Sequence, residues 1–145
     1  MVQKEKNALE ALKFNIPLLG KHNFRWLISG GFACYVYGVK RELTDIDIDV
    51  DTEVNDPKFK KFLEDLKSYI TQPLEHWTDQ NYDNYNVEIT YHYQVLDICP
   101  AQNIKVFDKS TDGYEVFYKD GFPVPEIEIF HNLHLPLLPK ELIIK

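Results

Sequence analysis

The chain has 145 residues, of which 44% are hydrophobic and 27% are charged, and its formal net charge at pH 7 is −7. This length suits one domain spanning residues 1–145, which can bury a core without a disulfide or a structural metal. Because contacts to phosphates need Lys and Arg, the acidic balance argues against strong non-specific binding to nucleic acid.

The cellular location is inferred from three features of the sequence. The N-terminal residues are polar and do not lead into the apolar segment of a signal peptide. No apolar stretch approaches the roughly 18 residues of a membrane-spanning helix, so no membrane partner is expected. Cys34 and Cys99 lie in apolar runs, which favours free, buried thiols in a reducing compartment. We therefore expect a cytoplasmic protein.

The first third of the sequence alternates helix and strand signals. Apolar residues at helical spacing predict a helix over residues 3–19, which Pro17 should end or kink. The apolar run 24–28 predicts a buried strand that stops at a tight turn, Ser29-Gly30-Gly31. A short helix over 32–37 is expected after that turn.

The central part begins with the most regular strand pattern in the chain. Strict alternation over 44–52 predicts a strand with one acidic and one apolar face. Asp56 as a cap and Pro57 at the first helical position then predict a helix, whose apolar stripe continues to Ile70. The polar and aromatic stretch 77–86 is expected to be a loop.

The remaining segments read mainly as strands. Residues 87–91 and 94–99 have strand-like patterns, and 114–118 with 124–129 suggests a further strand pair. A last helix is expected to begin near residue 137. Helices that alternate with strands, followed by several strands, predict an α/β or α+β fold with a mixed sheet and helices packed against it.

Four aspartates share one face of the strand predicted over 44–52. They are Asp45, Asp47, Asp49 and Asp51. Neighbouring carboxylates on such a face lie roughly 6–7 Å apart and repel one another, so solvent or cations must offset their charge. Hard divalent ions such as Mg²⁺ bind carboxylate oxygens and leave positions for substrate phosphates.

The glycine turn upstream adds a second signal of phosphate chemistry. Ser29-Gly30-Gly31 stands between a predicted strand and a predicted helix. Glycine lets the backbone approach a phosphate closely, and a helix N-terminus favours anions. The turn and the aspartates together predict a phosphate-binding and metal-binding site.

These motifs resemble those of the nucleotidyltransferase superfamily that includes DNA polymerase beta. The family pattern is a hydrophobic residue, Gly, then Gly or Ser, followed after a spacer by Asp-hydrophobic-Asp/Glu-hydrophobic. Here it reads Ile28, Gly30-Gly31 and Asp45-Ile46-Asp47-Ile48, with Ser29 interposed. The sequence looks closest to small bacterial and archaeal members of the lincosamide-type and toxin-like kinds, which often carry an Arg where Arg41 stands.

The resemblance extends to the end of the sequence. Leu96-Asp97-Ile98 fits the later strand that carries the family's third carboxylate. Glu141-Leu142-Ile143 with Lys145 looks like the start of a helix beyond which family members usually continue. The resemblance therefore covers about residues 28–145 and implies a domain without a C-terminal helical extension.

The resemblance also implies roles for the site residues. Asp45 and Asp47 would hold Mg²⁺ on the nucleotide triphosphate, and a second ion shared with Asp97 would activate the acceptor hydroxyl. Mn²⁺ could replace Mg²⁺, and Asp97 could also be the general base. Ser29-Gly30-Gly31 would bind the phosphates, and Arg41 would offset charge on the leaving pyrophosphate.

Some assignments have alternatives. Asp47 with Asp49 is a second choice for the paired carboxylates, but it stretches the family's spacings by two residues. Asp49 and Asp51 are expected to be solvated near the strand's end, although Asp49 could join the metal site. Glu88 competes with Asp97 as the third carboxylate.

Two further groups of residues could bind ligands. His131 and His134 have no third ligand at a supporting spacing, which disfavours a zinc site. Trp77, Tyr82 and Tyr85 could stack on a nucleobase, and the alternative is that their rings pack on the sheet.

The expected function is metal-dependent transfer of a nucleoside monophosphate from a nucleoside triphosphate to a hydroxyl acceptor. The acceptor, which the motifs do not identify, could be a small molecule, an RNA end or a protein. The alternative is a non-catalytic nucleotide-binding module, or a toxin-type or antitoxin-type interaction module, on the same fold.

Overall fold

The computed structural model describes residues 1–143, so Lys145 of the predicted last helix lies outside the described residues. The helices and strands, in chain order, are α1 (Gln3–Lys21), β1 (Trp26–Ser29), α2 (Gly30–Val36), β2 (Ile46–Val50), α3 (Pro57–Asp65), β3 (Ile70–Thr78), β4 (Tyr82–Tyr91), β5 (Gln94–Pro100), β6 (Lys105–Asp108), β7 (Gly113–Val116), β8 (Glu126–Phe130), β9 (Leu133–Leu137) and α4 (Lys140–Ile143).

The strands form one mixed sheet in the order β7-β6-β4-β5-β2-β1-β9-β8, and β3 pairs with β4 beside this path. Two pairings are parallel, β2 with β5 and β1 with β9, and the other pairings are antiparallel. The strand predicted from alternating aspartates, β2, therefore lies inside the sheet between β1 and β5. The predicted α+β fold class is confirmed.

The apolar face of β2 belongs to the main core. Ile46, Ile48 and Val50 are each 0% exposed and pack in one cluster with apolar residues of α1, α3, β4 and β5. The amphipathic helix α3 begins as predicted, because the Asp56 side chain accepts a hydrogen bond from the backbone N–H of Lys58 at 2.9 Å.

The opposite face of β2 carries the aspartates and adjoins a second apolar cluster. Leu27 and Cys99 are both register partners of Asp49, and they pack with Ile104, Tyr118 and other apolar residues. This second cluster covers one end of the acidic face and leaves the other end open. The sheet therefore separates a helix-covered core from a partly covered polar face.

The α1 helix contains Pro17 and continues to Lys21, so the proline does not end it, and Leu19 beyond the proline is fully buried. Two predictions about individual elements are wrong. Residues 77–86, expected to be a loop, form the end of β3, a tight turn and the start of β4. The segments 114–118 and 124–129 do not pair, since β7 pairs with β6 and β8 pairs with β9.

The missed β8–β9 hairpin has a physical reason. Its turn places His131 and Asn132 at φ 46° and 72°. Turns of this handedness usually contain glycine, which this turn lacks. No helix within residues 1–143 is both long and apolar enough to span a membrane.

Asn15 provides a test of the core. This residue of α1 is 0% exposed, and neither its side-chain nitrogen nor its side-chain oxygen has a hydrogen-bond partner within residues 1–143. Burying an unpaired amide costs about 1–3 kcal/mol, so we predict that Asn15→Leu raises the free energy of unfolding by about 1 kcal/mol in urea denaturation. Asn15→Asp is the control and should strongly destabilise the fold. A less stable Asn15→Leu variant would show that the amide is paired after all.

Candidate functional site

Sheet register brings the acidic residues together. In the parallel pair of β2 and β5, Asp47 is the register partner of Asp97. On the outer sides of these strands, Ser29 of β1 pairs with Asp47, and Glu88 of β4 pairs with Asp97. Register partners point to the same face of a sheet. Ser29, Asp47, Asp97 and Glu88 therefore form a row across four strands, which we call the acidic row.

The two central carboxyl groups interact strongly. Burial and, after it, the charges of Asp97, Asp49 and Asp45 together raise the pKa of Asp47 to about 8. Burial also raises the pKa of Asp97, but a hydrogen bond from Asn86 opposes this effect. The Asn86 Nδ2 donates to Asp97 Oδ1 at 2.8 Å. The pair therefore favours one shared proton. Asp47 holds this proton and donates a hydrogen bond to the ionised Asp97.

Asp45 stands immediately before β2 and is exposed. Its charge raises the pKa of Asp47, Asp97 and Glu88, so it lies within electrostatic reach of all three. The structure thus brings the three predicted catalytic carboxylates into one acidic group. It also places Glu88, the predicted rival of Asp97, next to Asp97 in the row.

Asp49 and Asp51 differ from the prediction that both are solvated. Asp49 is only 5% exposed, accepts a hydrogen bond from Ser29 Oγ at 3.2 Å and also accepts one from the Tyr118 hydroxyl. Burial raises the pKa of Asp49 to about 6, although the Tyr118 and Ser29 hydrogen bonds lower it. Asp51 is half-buried and forms an ion pair with Arg25 at 2.5 Å. Buried hydroxyl donors, rather than water, therefore satisfy Asp49.

The glycine turn fits closely against the acidic row. Gly30 has φ +64°, and a Cβ built on it would lie 2.1 Å from Asp47 Oδ2. A Cβ on Gly31 would lie 2.6 Å from Arg41 Cζ, so the exposed Arg41 side chain covers that position. Gly30 therefore makes room for the Asp47 carboxylate, and Gly31 makes room for the guanidinium. This adds a role for these glycines that the predicted contact with phosphate did not include.

A cavity of about 440 Å³ opens over the acidic face of the sheet. Its volume lies within the range of roughly 300–1,000 Å³ that is common for small-molecule sites. Its polar wall includes Ser29 and Gly30 and three of the aspartates, whereas Gly31, Arg41 and Asp45 are not part of the lining. Its apolar wall belongs to the second cluster, and the strands β3 and β4 contribute Trp77, Tyr82 and Asn84.

Sequence reasoning missed the polar residues of β4. Asn84 lines the cavity, and Asn86 holds Asp97, while both side chains are more than nine-tenths buried. A signal was present, because Asn84, Asn86 and Glu88 alternate with Tyr85 and Val87 at the period of a strand. This alternation is hard to recognise as a strand because the buried residues are polar, whereas the buried residues of an ordinary core strand are apolar.

Of the remaining candidates, His131 and His134 lie apart from the cavity lining, whereas Cys99 belongs to it. His131 is in the β8–β9 turn with Nε2 3.2 Å from Glu5 Oε1, and His134 is exposed on β9. Cys99 is buried, and burial raises the pKa of its thiol well above the ordinary value, which disfavours a nucleophilic role.

The donor set can be compared with the needs of a metal ion. Within residues 1–143, no three His, Cys, Asp or Glu side chains are arranged to hold a metal ion by themselves. Mg²⁺ is commonly bound through one or two carboxylates together with substrate phosphates. Asp47 and Asp97 supply two hard oxygen ligands whose mutual repulsion a cation would relieve. These residues fit an ion that is shared with a phosphate ligand, and they do not fit a closed structural metal site.

Comparison with known proteins supports the fold. No protein-family model matches this sequence, and no curated protein matches it. The crystal structure of a presumed nucleotidyltransferase from Thermotoga maritima matches with a TM-score of 0.75 and 16% sequence identity, over 99% of this chain and 83% of that one. A presumed nucleotidyltransferase from Helicobacter pylori matches with a TM-score of 0.42 and 14% identity, over 94% of this chain and 55% of that one.

The Thermotoga match establishes the class of fold. At 16% identity the match shows the fold alone and does not assign a role to any residue. The chain has a nucleotidyltransferase-like fold, as the sequence motifs predicted.

Three glycine substitutions test the fit of the turn. We predict that Gly30→Ala lowers the free energy of unfolding by about 2–4 kcal/mol, because it combines backbone strain with overlap on Asp47. Gly38 has φ +108° and open space around it, so Gly38→Ala should cost only the strain, about 1 kcal/mol. Gly20 lies in α1 with open space, and Gly20→Ala should stabilise the fold slightly.

Denaturant unfolding of the three variants checks this order. Equal losses for Gly30→Ala and Gly38→Ala would mean that the contact with Asp47 contributes nothing.

Proposed function

We propose that this protein is a metal-dependent nucleotidyltransferase that moves a nucleoside monophosphate from a nucleoside triphosphate to a hydroxyl acceptor. The observation that carries the proposal is the contact between Asp47 and Asp97, side by side beneath the glycine turn in an open cavity. Two apposed carboxylates with raised pKa values are costly to the fold, and such groups concentrate at functional sites.

The carboxylates are proposed to hold Mg²⁺, or Mn²⁺ in its place, together with the triphosphate. When bound, the ion supplies positive charge that stabilises the attacking and leaving oxygens. Asp47 and Asp97 would be its principal ligands. The exposed Asp45, two residues before Asp47, would add negative charge beside them. Release of the proton from Asp47 would accompany binding, because ligands bind in their deprotonated form.

The other residues would orient the reactants. Arg41, which covers Gly31, would offset negative charge on the phosphates, and Ser29 and Gly30 would form the adjoining wall. The acceptor oxygen would attack the α-phosphorus, the bond to the β-phosphate oxygen would break, and pyrophosphate would leave. Asp97, kept ionised by Asn86, would take the hydroxyl proton. Positioning and charge would therefore provide most of the catalysis.

A non-catalytic nucleotide-binding module is the second candidate. Asp45 is exposed ahead of β2, and the described residues contain no ready-made group of three metal ligands. Both observations suit a site that binds a nucleotide with two carboxylates and does not catalyse its transfer. Under this alternative the cavity binds the triphosphate, but pyrophosphate is not released.

Binding and transfer measurements separate these functions. We predict that the wild type binds nucleoside triphosphates only with Mg²⁺ in calorimetry, and that Asp47→Asn or Asp97→Asn weakens binding at least about ten-fold, since each removes a metal ligand. Asp51→Asn is the matched control, because Asp51 is held by Arg25 and does not line the cavity, and its binding should be unchanged.

Transfer is then measured with α-labelled triphosphates and a pool of cellular acceptors. Labelled product and pyrophosphate support the enzyme, whereas binding without either supports the binding module. Absence of Mg²⁺-dependent binding in the wild type would refute both functions.

A further inference from the structure

Two aromatic rings line the cavity without being fully packed. Trp77 of β3 and Tyr82 of β4 are 37% and 43% exposed, and both line the cavity that contains Asp47 and Asp97. Large rings normally bury most of their surface in a core. These two rings therefore present apolar surface to the cavity opening.

The β3–β4 hairpin places both rings on the same face. Trp77 is the register partner of Asn84, and Tyr82 lies two residues before Asn84 on the same strand. Residues at these positions share one face of a hairpin. Among the described residues, neither ring stacks on another aromatic ring. On the other face of the same hairpin, the rings of His76 and Tyr85 do contact each other, with centroids 4.7 Å apart and planes tilted by 30°.

A buried polar group adjoins the positions of the two rings. Asn84 is only 8% exposed and lines the cavity, and its side-chain oxygen has no hydrogen-bond partner among residues 1–143. Most buried polar side-chain atoms have at least one partner, so an unpaired one needs an explanation. The cavity therefore combines two free ring faces, an unsatisfied amide and, further along the same wall, the paired carboxylates.

We infer that Trp77 and Tyr82 form a stacking site for the nucleobase of the bound nucleotide. The buried Asn84 amide beside these rings would contact the polar edge of the nucleobase. The inference depends on the proposed function, because it assigns the base end of the ligand whose phosphates lie at the carboxylates. A nucleobase is planar and carries polar edge groups, which matches two rings beside an amide. Stacking of a base on an aromatic side chain tolerates any of the four bases.

The test compares a ligand that carries a nucleoside with one that is only the phosphate chain. ATP and inorganic tripolyphosphate are each titrated in the presence of Mg²⁺ into the full chain and its variants. Trp77→Leu and Tyr82→Leu should each weaken ATP binding about ten-fold, which is typical for loss of one stacking ring. Neither variant should change the affinity for tripolyphosphate. Trp77→Phe keeps a ring and should retain most of the ATP affinity.

The control variant changes a ring on the opposite face of the hairpin. Tyr85→Leu removes the ring contact with His76 and should bind both ligands like the wild type. Trp77 fluorescence gives a second readout in a Trp26→Phe background, where ATP should quench emission and tripolyphosphate should not.

Three outcomes would overturn the inference. ATP affinity that is equal in Trp77→Leu and the wild type would show that the base binds elsewhere. Equal losses for ATP and tripolyphosphate would show that the rings only support the fold of the cavity. If the wild type binds neither ligand with Mg²⁺, the proposed function itself fails and the stacking site fails with it.

Discussion

The parallel pairing of β2 with β5 is the constraint on which the rest of the site depends. It places Asp47 directly beside Asp97 on a partly covered face, where both carboxyl groups lose hydration and repel each other. The folded chain binds a proton at Asp47 as the pH falls below about 8, whereas the ordinary value for the unfolded chain is 3.8. The stability contributed at this residue therefore decreases as the pH rises through that window. A fold selected only for stability would not keep this arrangement.

The surrounding structure offsets the cost of placing Asp47 and Asp97 side by side. The apolar face of β2 is fully buried against α1, α3 and the neighbouring strands, which fixes the strand and its register. Because side chains alternate along a strand, anchoring Ile46 and Ile48 in the core forces Asp47 and Asp49 to the other face. Asp49 is then satisfied by Ser29 and Tyr118. Hydrophobic burial on one face of the sheet thus holds the acidic groups in place on the other.

Part of this could be predicted from the sequence, and the reason differs between elements. The alternation over 44–52 and the Asp56 cap are local signals, and they correctly predicted β2 and the start of α3. The alignment of Asp47 with Asp97 depends on a pairing between strands distant in sequence, which no local pattern encodes. It was suggested only because the motifs resemble a known family.

Residues 82–86 of β4 could not be recognised by the usual rule, although residues 87–91 of the same strand were correctly predicted. Its inward residues Asn84 and Asn86 are polar because they face the cavity and Asp97, so the strand lacks an apolar face at that end. The sequence does not predict the burial of Asn15 either, since a single polar residue in a helical pattern normally faces solvent. Sequence rules fail most often at sites of this kind, where function rather than stability determines the residue.

The most direct test of the account is the titration of the Asp47 carboxyl group, followed by carbon-13 NMR of side-chain carboxyls. The account predicts a midpoint near pH 8 for Asp47, which decreases when Asp97→Asn removes the neighbouring charge. It also predicts that added Mg²⁺ lowers the midpoint, because the cation favours the ionised form. A midpoint near the ordinary value of 3.8 in the wild type would contradict the account, since the two carboxyl groups would then be neither buried nor coupled.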